Sequence, residues 1–173
     1  MTKMKIGMAV PPSPTVESLD RALGRIRDDG FDCAELSLDI VPLIISGEIC
    51  RPWVQLLKQL LKVHPLEYSA HIGRALDLRS PDFDLHWRVL QASIRICGEL
   101  RLSPLTVHFE QQSHDAAVER RFFRAHRDAG SLAEENDILV CVENIEIERV
   151  KPVVNFVKAV DHTRVRMTLD TGH

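Results

Sequence analysis

Apolar residues recur along this chain in two alternating rhythms. Short runs rich in Val, Ile and Leu give way to longer stretches with apolar positions three or four residues apart. The first rhythm belongs to buried strands and the second to amphipathic helices. It predicts strands near 4–10, 32–38, 66–72, 104–109, 138–144 and 164–169. Helices are predicted near 15–29, 50–63, 82–101, 114–136 and 149–160. Helix starts are marked by Pro14-Thr15-Val16-Glu17-Ser18 and by Ser80-Pro81-Asp82. Gly30, Gly98 and the Asn136-Asp137 pair fall at or near helix ends.

Regular strand–helix alternation implies parallel strands joined by right-handed crossovers. An open doubly wound sheet carries a glycine-rich phosphate turn after its first strand. Here that turn reads Val10-Pro11-Pro12-Ser13-Pro14, and neither GxGxxG nor GxxxxGK[ST] occurs. The expectation is therefore an α/β fold of the (β/α) TIM-barrel type. It is incomplete, with about six parallel strands and outer helices. Residues 1–173 are expected to form a single domain lacking the last two βα units.

In such a barrel the chemistry sits at the C-terminal ends of several strands. His71, His108, Glu143, Asp170 and His173 all fall there, spaced 37, 35, 27 and 3 residues apart, and most steps match one βα unit. Successive strand residues point to opposite faces. If His71, His108, Glu143 and Asp170 face inward, so do Ser69, Thr106, Cys141 and Thr168. The other face then carries Tyr68, Ala70, Leu105, Val107, Val140, Val142, Met167 and Leu169. One face is small or polar, and the other is mostly large and apolar. The same parity places Glu35 inward with Cys33 and Ser37. It places Arg166 inward too, where it needs a carboxylate or water.

Composition changes this picture little. The chain is 45% apolar and 27% charged, as a globular domain is, and its net charge of −3 gives no general attraction to a polyanion. Cys33, Cys50, Cys97 and Cys141 form no CxxC pair. They read as small core residues in a reducing compartment. No apolar run approaches the length of a membrane span, so a cytoplasmic location is expected.

Each candidate ligand has a structural reading as well. A lone histidine is usually a hydrogen-bonded residue of the core or surface, and Glu143 alone could pair with Arg166. Asp170 and His173, three apart past a strand, offer one ion a hard oxygen and a borderline nitrogen. One rim and one parity shared by all favour a joint divalent-metal site. His64, His86, His114, His126 and His162 have no such company. The run Glu119-Arg120-Arg121-Phe122-Phe123-Arg124 reads as an exposed helical face with two core aromatics.

Four segments carry a family resemblance. They are Gly30-Phe31-Asp32-Cys33-Ala34-Glu35-Leu36, Tyr68-Ser69-Ala70-His71 continuing through Leu76-Asp77-Leu78-Arg79-Ser80-Pro81-Asp82, Leu139-Val140-Cys141-Val142-Glu143-Asn144, and Leu169-Asp170-Thr171-Gly172-His173. Together the chain resembles the xylose isomerase-like TIM-barrel superfamily, which holds sugar (phosphate) isomerases and epimerases and endonuclease IV-type nucleases. In the isomerase branch the resemblance implies a divalent ion (Mn, Mg or Zn) on Glu143 and Asp170, with His173 ligating or binding substrate. His71 and His108 would bind substrate hydroxyls or complete the metal site, and Glu35 would bind substrate. In the nuclease branch His71, His108, Glu143, Asp170 and His173 match a multi-zinc cluster. Phe109-Glu110-Gln111 stands where that branch has Pro-Gly, and Asp77 where it commonly has Asn.

The function expected first is a metal-dependent isomerase or epimerase of a small sugar or sugar phosphate. It would move a proton next to a carbonyl, with Glu143 and His173 as catalytic residues. The second expectation is a zinc-dependent nuclease at abasic DNA sites, with Arg51, Arg74, Arg79 and Lys151 as candidate cations. The third is a non-catalytic fragment or interaction module. Open barrel edges at the first and last strands then predict pairing with a second copy.

Overall fold

The structure, a computed structural model, describes residues 4–13, 15–39, 41–73, 76–145 and 147–172. The chain order is β1 (Gly7–Ala9), α1 (Val16–Asp28), β2 (Cys33–Ser37), β3 (Ile44–Ile45), β4 (Glu48–Ile49), α2 (Arg51–Val63) and β5 (Glu67–His71). It continues with α3 (Phe83–Leu100), β6 (Leu105–His108), α4 (Ala116–Glu135), β7 (Val140–Glu143), a 3-10 turn (Ile147–Arg149), α5 (Val150–Val160) and β8 (Val165–Thr168).

The main sheet has six strands in the order β1-β2-β5-β6-β7-β8. Every pair is parallel. Sequential parallel order with helical crossovers is TIM-barrel topology, open here between β1 and β8.

Local chemistry explains the helix ends. Thr15 and Ser18 form a reciprocal capping box at the start of α1. The Asp115 carboxylate accepts from the Ala117 amide, 2.7 Å away, at the start of α4. Helix α1 ends as Gly30 takes φ +85°, a region that L side chains avoid.

Leu23 and Ile26 of α1, Leu57 of α2, Leu90 and Ile94 of α3, Ala129 of α4 and Val153 of α5 are buried in one core. Ala34, Leu36, Ala70, Leu105, Val107, Val140 and Val142 of the strands belong to the same core. These strand residues are the outer face that parity predicts. On the inner face the Thr106 and Thr168 hydroxyls lie 3.4 Å apart across β6 and β8.

Two local features differ from expectation. Residues between β2 and α2 form a small antiparallel hairpin, β3–β4, pairing Ile44 with Ile49 and Ile45 with Glu48. Ser46 and Gly47 turn it, both at positive φ, as a two-residue hairpin with the right twist requires. Arg166 needs no carboxylate: its Nη1 donates to the carbonyls of His162 and Val165 near the start of β8.

Candidate active site and metal centre

Strands β5, β6 and β7 end in step. His71 pairs in register with Thr106, and His108 with Glu143. The shared stagger brings three side chains to one point on the inner face of the C-terminal rim. The Nε2 atoms of His71 and His108 are 3.0 Å apart. Each is 3.4 Å from Oε2 of Glu143. Donor atoms bound about 2.0–2.2 Å from one ion lie roughly 2.9–3.5 Å from each other in tetrahedral or octahedral geometry. The observed separations fall in that range, so the trio fits a divalent ion. Two imidazoles and one carboxylate are also a donor set that leaves positions open for water or substrate.

The site is partly shielded. The side chains of His108 and Glu143 are 13% and 12% exposed, and that of His71 is 27% exposed. Hydrogen bonding to Glu143 raises the His71 imidazole above its ordinary value. Burial opposes the rise, while Glu35, Glu143 and Asp39 add to it by charge. Glu35 is on the same face and senses both residues. Burial pushes its carboxyl up, His71 pulls it down and Glu143 pushes it up again.

Asp170 stands outside the trio. Its backbone is tied to the end of β7 by Asn144, whose Oδ1 accepts from the Asp170 amide and whose Nδ2 donates to its carbonyl, at 3.0 and 2.9 Å. Its Oδ1 accepts from the Gly172 amide at 2.6 Å. His173 lies outside the described residues. The structure therefore brings His71, His108, Glu143 and Glu35 to one rim and leaves Asp170 beside it.

Three participants escaped the sequence reading. Asn144 braces the last two strands, although it stands inside a quoted motif. Asp39 contributes charge to His71 from the loop after β2. Glu110 places Oε1 3.9 Å from Nδ1 of His108. Its signal was available, because a residue two past His108 keeps the same parity if the strand geometry runs on.

A cavity of about 330 Å³ opens between the loops after β6 and β7, lined in part by Glu110, Gln111, Gln112, His114 and Arg149. A larger hollow of about 640 Å³ lies at the opposite end of the sheet, near Lys58, Glu67 and Arg101. Neither is lined by His71, His108 or Glu143; the first opens beside the C-terminal rim that carries them.

Residues 23–173 match the sequence profile of the family described as xylose isomerase-like TIM barrel. A comparison with curated protein sequences finds no match. Several solved structures share the fold. D-Psicose 3-epimerase from Clostridium cellulolyticum H10, solved with D-tagatose, is 19% identical with a TM-score of 0.75, over 97% of this chain and 64% of that one. D-Allulose 3-epimerase from Methylomonas sp. in complex with D-allulose is 18% identical with a TM-score of 0.77, over 97% of this chain and 62% of that one. A xylose isomerase-like TIM barrel protein from Mycobacterium smegmatis in complex with magnesium is 18% identical with a TM-score of 0.73, over 96% and 64%. The chain thus spans less than two thirds of the length of these three structures.

Proposed function

The chain belongs to the xylose isomerase-like TIM barrel family, and from that premise we propose that it serves a divalent-metal-dependent isomerase or epimerase acting on a small sugar. The observation that carries this reading is the convergence of His71, His108 and Glu143 donor atoms at the strand C-termini, all within 4.8 Å of one another. The solved relatives named for D-psicose and D-allulose support a ketose as substrate. When bound, the ion would polarise the substrate carbonyl.

This chain's own residues supply the rest. His71, His108 and Glu143 would hold the ion, with Asp170 and His173 as the further ligands the family resemblance implies. His71 and His108 also face substrate hydroxyls. Glu35, whose carboxyl burial raises above its ordinary value, stands on the same face and would bind a substrate hydroxyl. Glu143 and His173 are the groups assigned to proton movement. Imidazole donors favour Zn²⁺ over Mn²⁺ or Mg²⁺. The exposed β1 edge is the surface proposed for pairing with a second copy.

One observation favours the nuclease reading as well: both imidazoles enter the cluster. Two of its candidate cations are already committed, Arg51 to Glu99 at 2.7 Å and Arg79 to Glu119. Arg74 lies outside the described residues.

The test is proton exchange. The chain is incubated with D-fructose, D-allulose or D-tagatose in D2O with Zn²⁺, Mn²⁺ or Mg²⁺. Deuterium should enter the carbon next to the carbonyl, and Glu143→Ala should abolish the incorporation. No incorporation with any ion, together with metal-dependent nicking of an abasic duplex, would replace this function with the hydrolytic one.

A further inference from the structure

The hairpin β3–β4 leans on α3 and leaves a hollow of about 310 Å³ against it. Arg51 at the start of α2, Arg88, Gln91 and Arg95 of α3, and Gly47 and Glu48 of the hairpin line this hollow. None of them belongs to the six-stranded sheet, so the hollow is separate from the rim that carries His71, His108 and Glu143.

Arg88, Gln91 and Arg95 follow one another along α3 at steps of three and four residues, and therefore share one face. The hairpin turn is shaped around the first of them. A Cβ on Gly47 would stand 2.8 Å from Cβ and 3.2 Å from Nε of Arg88, so a larger residue there would push that side chain away.

Charge in the hollow is unbalanced. Arg51 is paired with Glu99 at 2.7 Å, and Gln55 and Lys58 turn to the same carboxylate. The side chains of Arg88 and Arg95 have no hydrogen bond or ion pair among the described residues, and neither has Glu48, the one carboxylate in the lining. With Arg51 set aside as neutralised, two free guanidiniums stand against one carboxylate. Exposed arginines on a flat surface are simply solvated. Here a concave wall gathers them, and its volume is at the small end of small-molecule pockets. A guanidinium is a planar fork that binds two oxygens at once. A carboxylate has oxygens for one fork, whereas a phosphate group has three acceptor oxygens and can be shared between two.

We propose that this hollow binds the phosphate group of a small phosphomonoester, held by Arg88 and Arg95 with Gln91 and Arg51 beside them. The site goes beyond the epimerase reading and uses no residue of the rim, so either can fail without the other.

The test begins with inorganic phosphate, titrated at constant ionic strength into the chain labelled with ¹⁵N-arginine. Arg88→Gln and Arg95→Gln assign the Nε–H signals. Both signals should shift and saturate together, and D-fructose 6-phosphate should saturate them too, while D-fructose and acetate leave them unmoved. Calorimetric affinity for D-fructose 6-phosphate should fall about tenfold or more in Arg88→Gln combined with Arg95→Gln. It should rise in Glu48→Gln, which removes the opposing charge, and stay the same in Glu143→Ala. Shifts that grow linearly with every anion, or equal affinity in the arginine double variant, overturn the site. Saturation by inorganic phosphate and not by the ester overturns the phosphomonoester assignment. Ester binding that survives the arginine double variant and disappears in Glu143→Ala places the phosphate at the rim and overturns the proposal.

Discussion

At the scale of single residues, His126 departs most from its sequence context. It sits in a helix rich in arginine, yet it is 1% exposed. Its ring packs against Phe122 and Phe156. Its Nδ1 lies 3.0 Å from the Phe122 carbonyl, to which it donates, and its Nε2 has no partner among the described residues. Burial pulls its pKa down to about 4, the Phe122 carbonyl opposes this and Arg79 adds to the fall. The unfolded chain then takes up a proton between about pH 6.5 and pH 4 while the folded chain does not. Stability is complete above that window and declines as pH falls through it, by about 3 kcal/mol for this residue. Urea melts across pH 4–7.5 should show this slope, and His126→Phe should flatten it. An identical slope in the variant would place the pH dependence elsewhere.

At the scale of elements, the loops matter more than the strands they follow. Strands β5, β6 and β7 aim the three candidate ligands, but Arg79 ties the loop after β5 to the loop after β6 and to α4. Arg79→Met would leave Glu119 and the Glu110 carbonyl without this partner. Removing one member of a buried, hydrogen-bonded charge pair costs about 3–5 kcal/mol, and Glu119 is partly exposed, so about 3 kcal/mol is expected. In a domain of this size that is a fall of roughly 6–12 °C in Tm. Arg79→Lys keeps the charge but not the fork and should recover only part of it. A melting temperature unchanged in Arg79→Met would show that the clamp contributes nothing to the loop.

At the scale of the whole molecule, the sheet is open. All three residues of β1 are exposed. Met4, Ile6 and Met8 are 81%, 58% and 45% exposed, and Leu169, just past β8, is 58% exposed. Unpaired edges flanked by apolar side chains favour strand pairing between chains. Sedimentation velocity of this chain should show association that grows with concentration. Ile6→Lys combined with Met8→Lys should suppress it, and a monomer at every concentration in the unmodified chain would dismiss edge pairing. No described helix is long and apolar enough to cross a membrane.

The order of the sheet and the face each candidate ligand takes were legible in the sequence by itself, because both follow from periods. Period two within strands put His71, His108 and Glu143 on the same face. A repeat close to one βα unit put them on neighbouring strands. The hairpin at Ser46-Gly47 escaped because two-residue strands carry too little pattern to read. Arg79, Glu110 and His126 escaped for a different reason. Arg79 lies 40 residues from Glu119 and 31 from Glu110 along the chain. Sequence periodicity reports which side of its own element a residue occupies, and nothing about the partner it meets across such a gap. Burial of an arginine, burial of a histidine and the approach of Glu110 to His108 are each settled by packing between elements, so only the tertiary structure decided them.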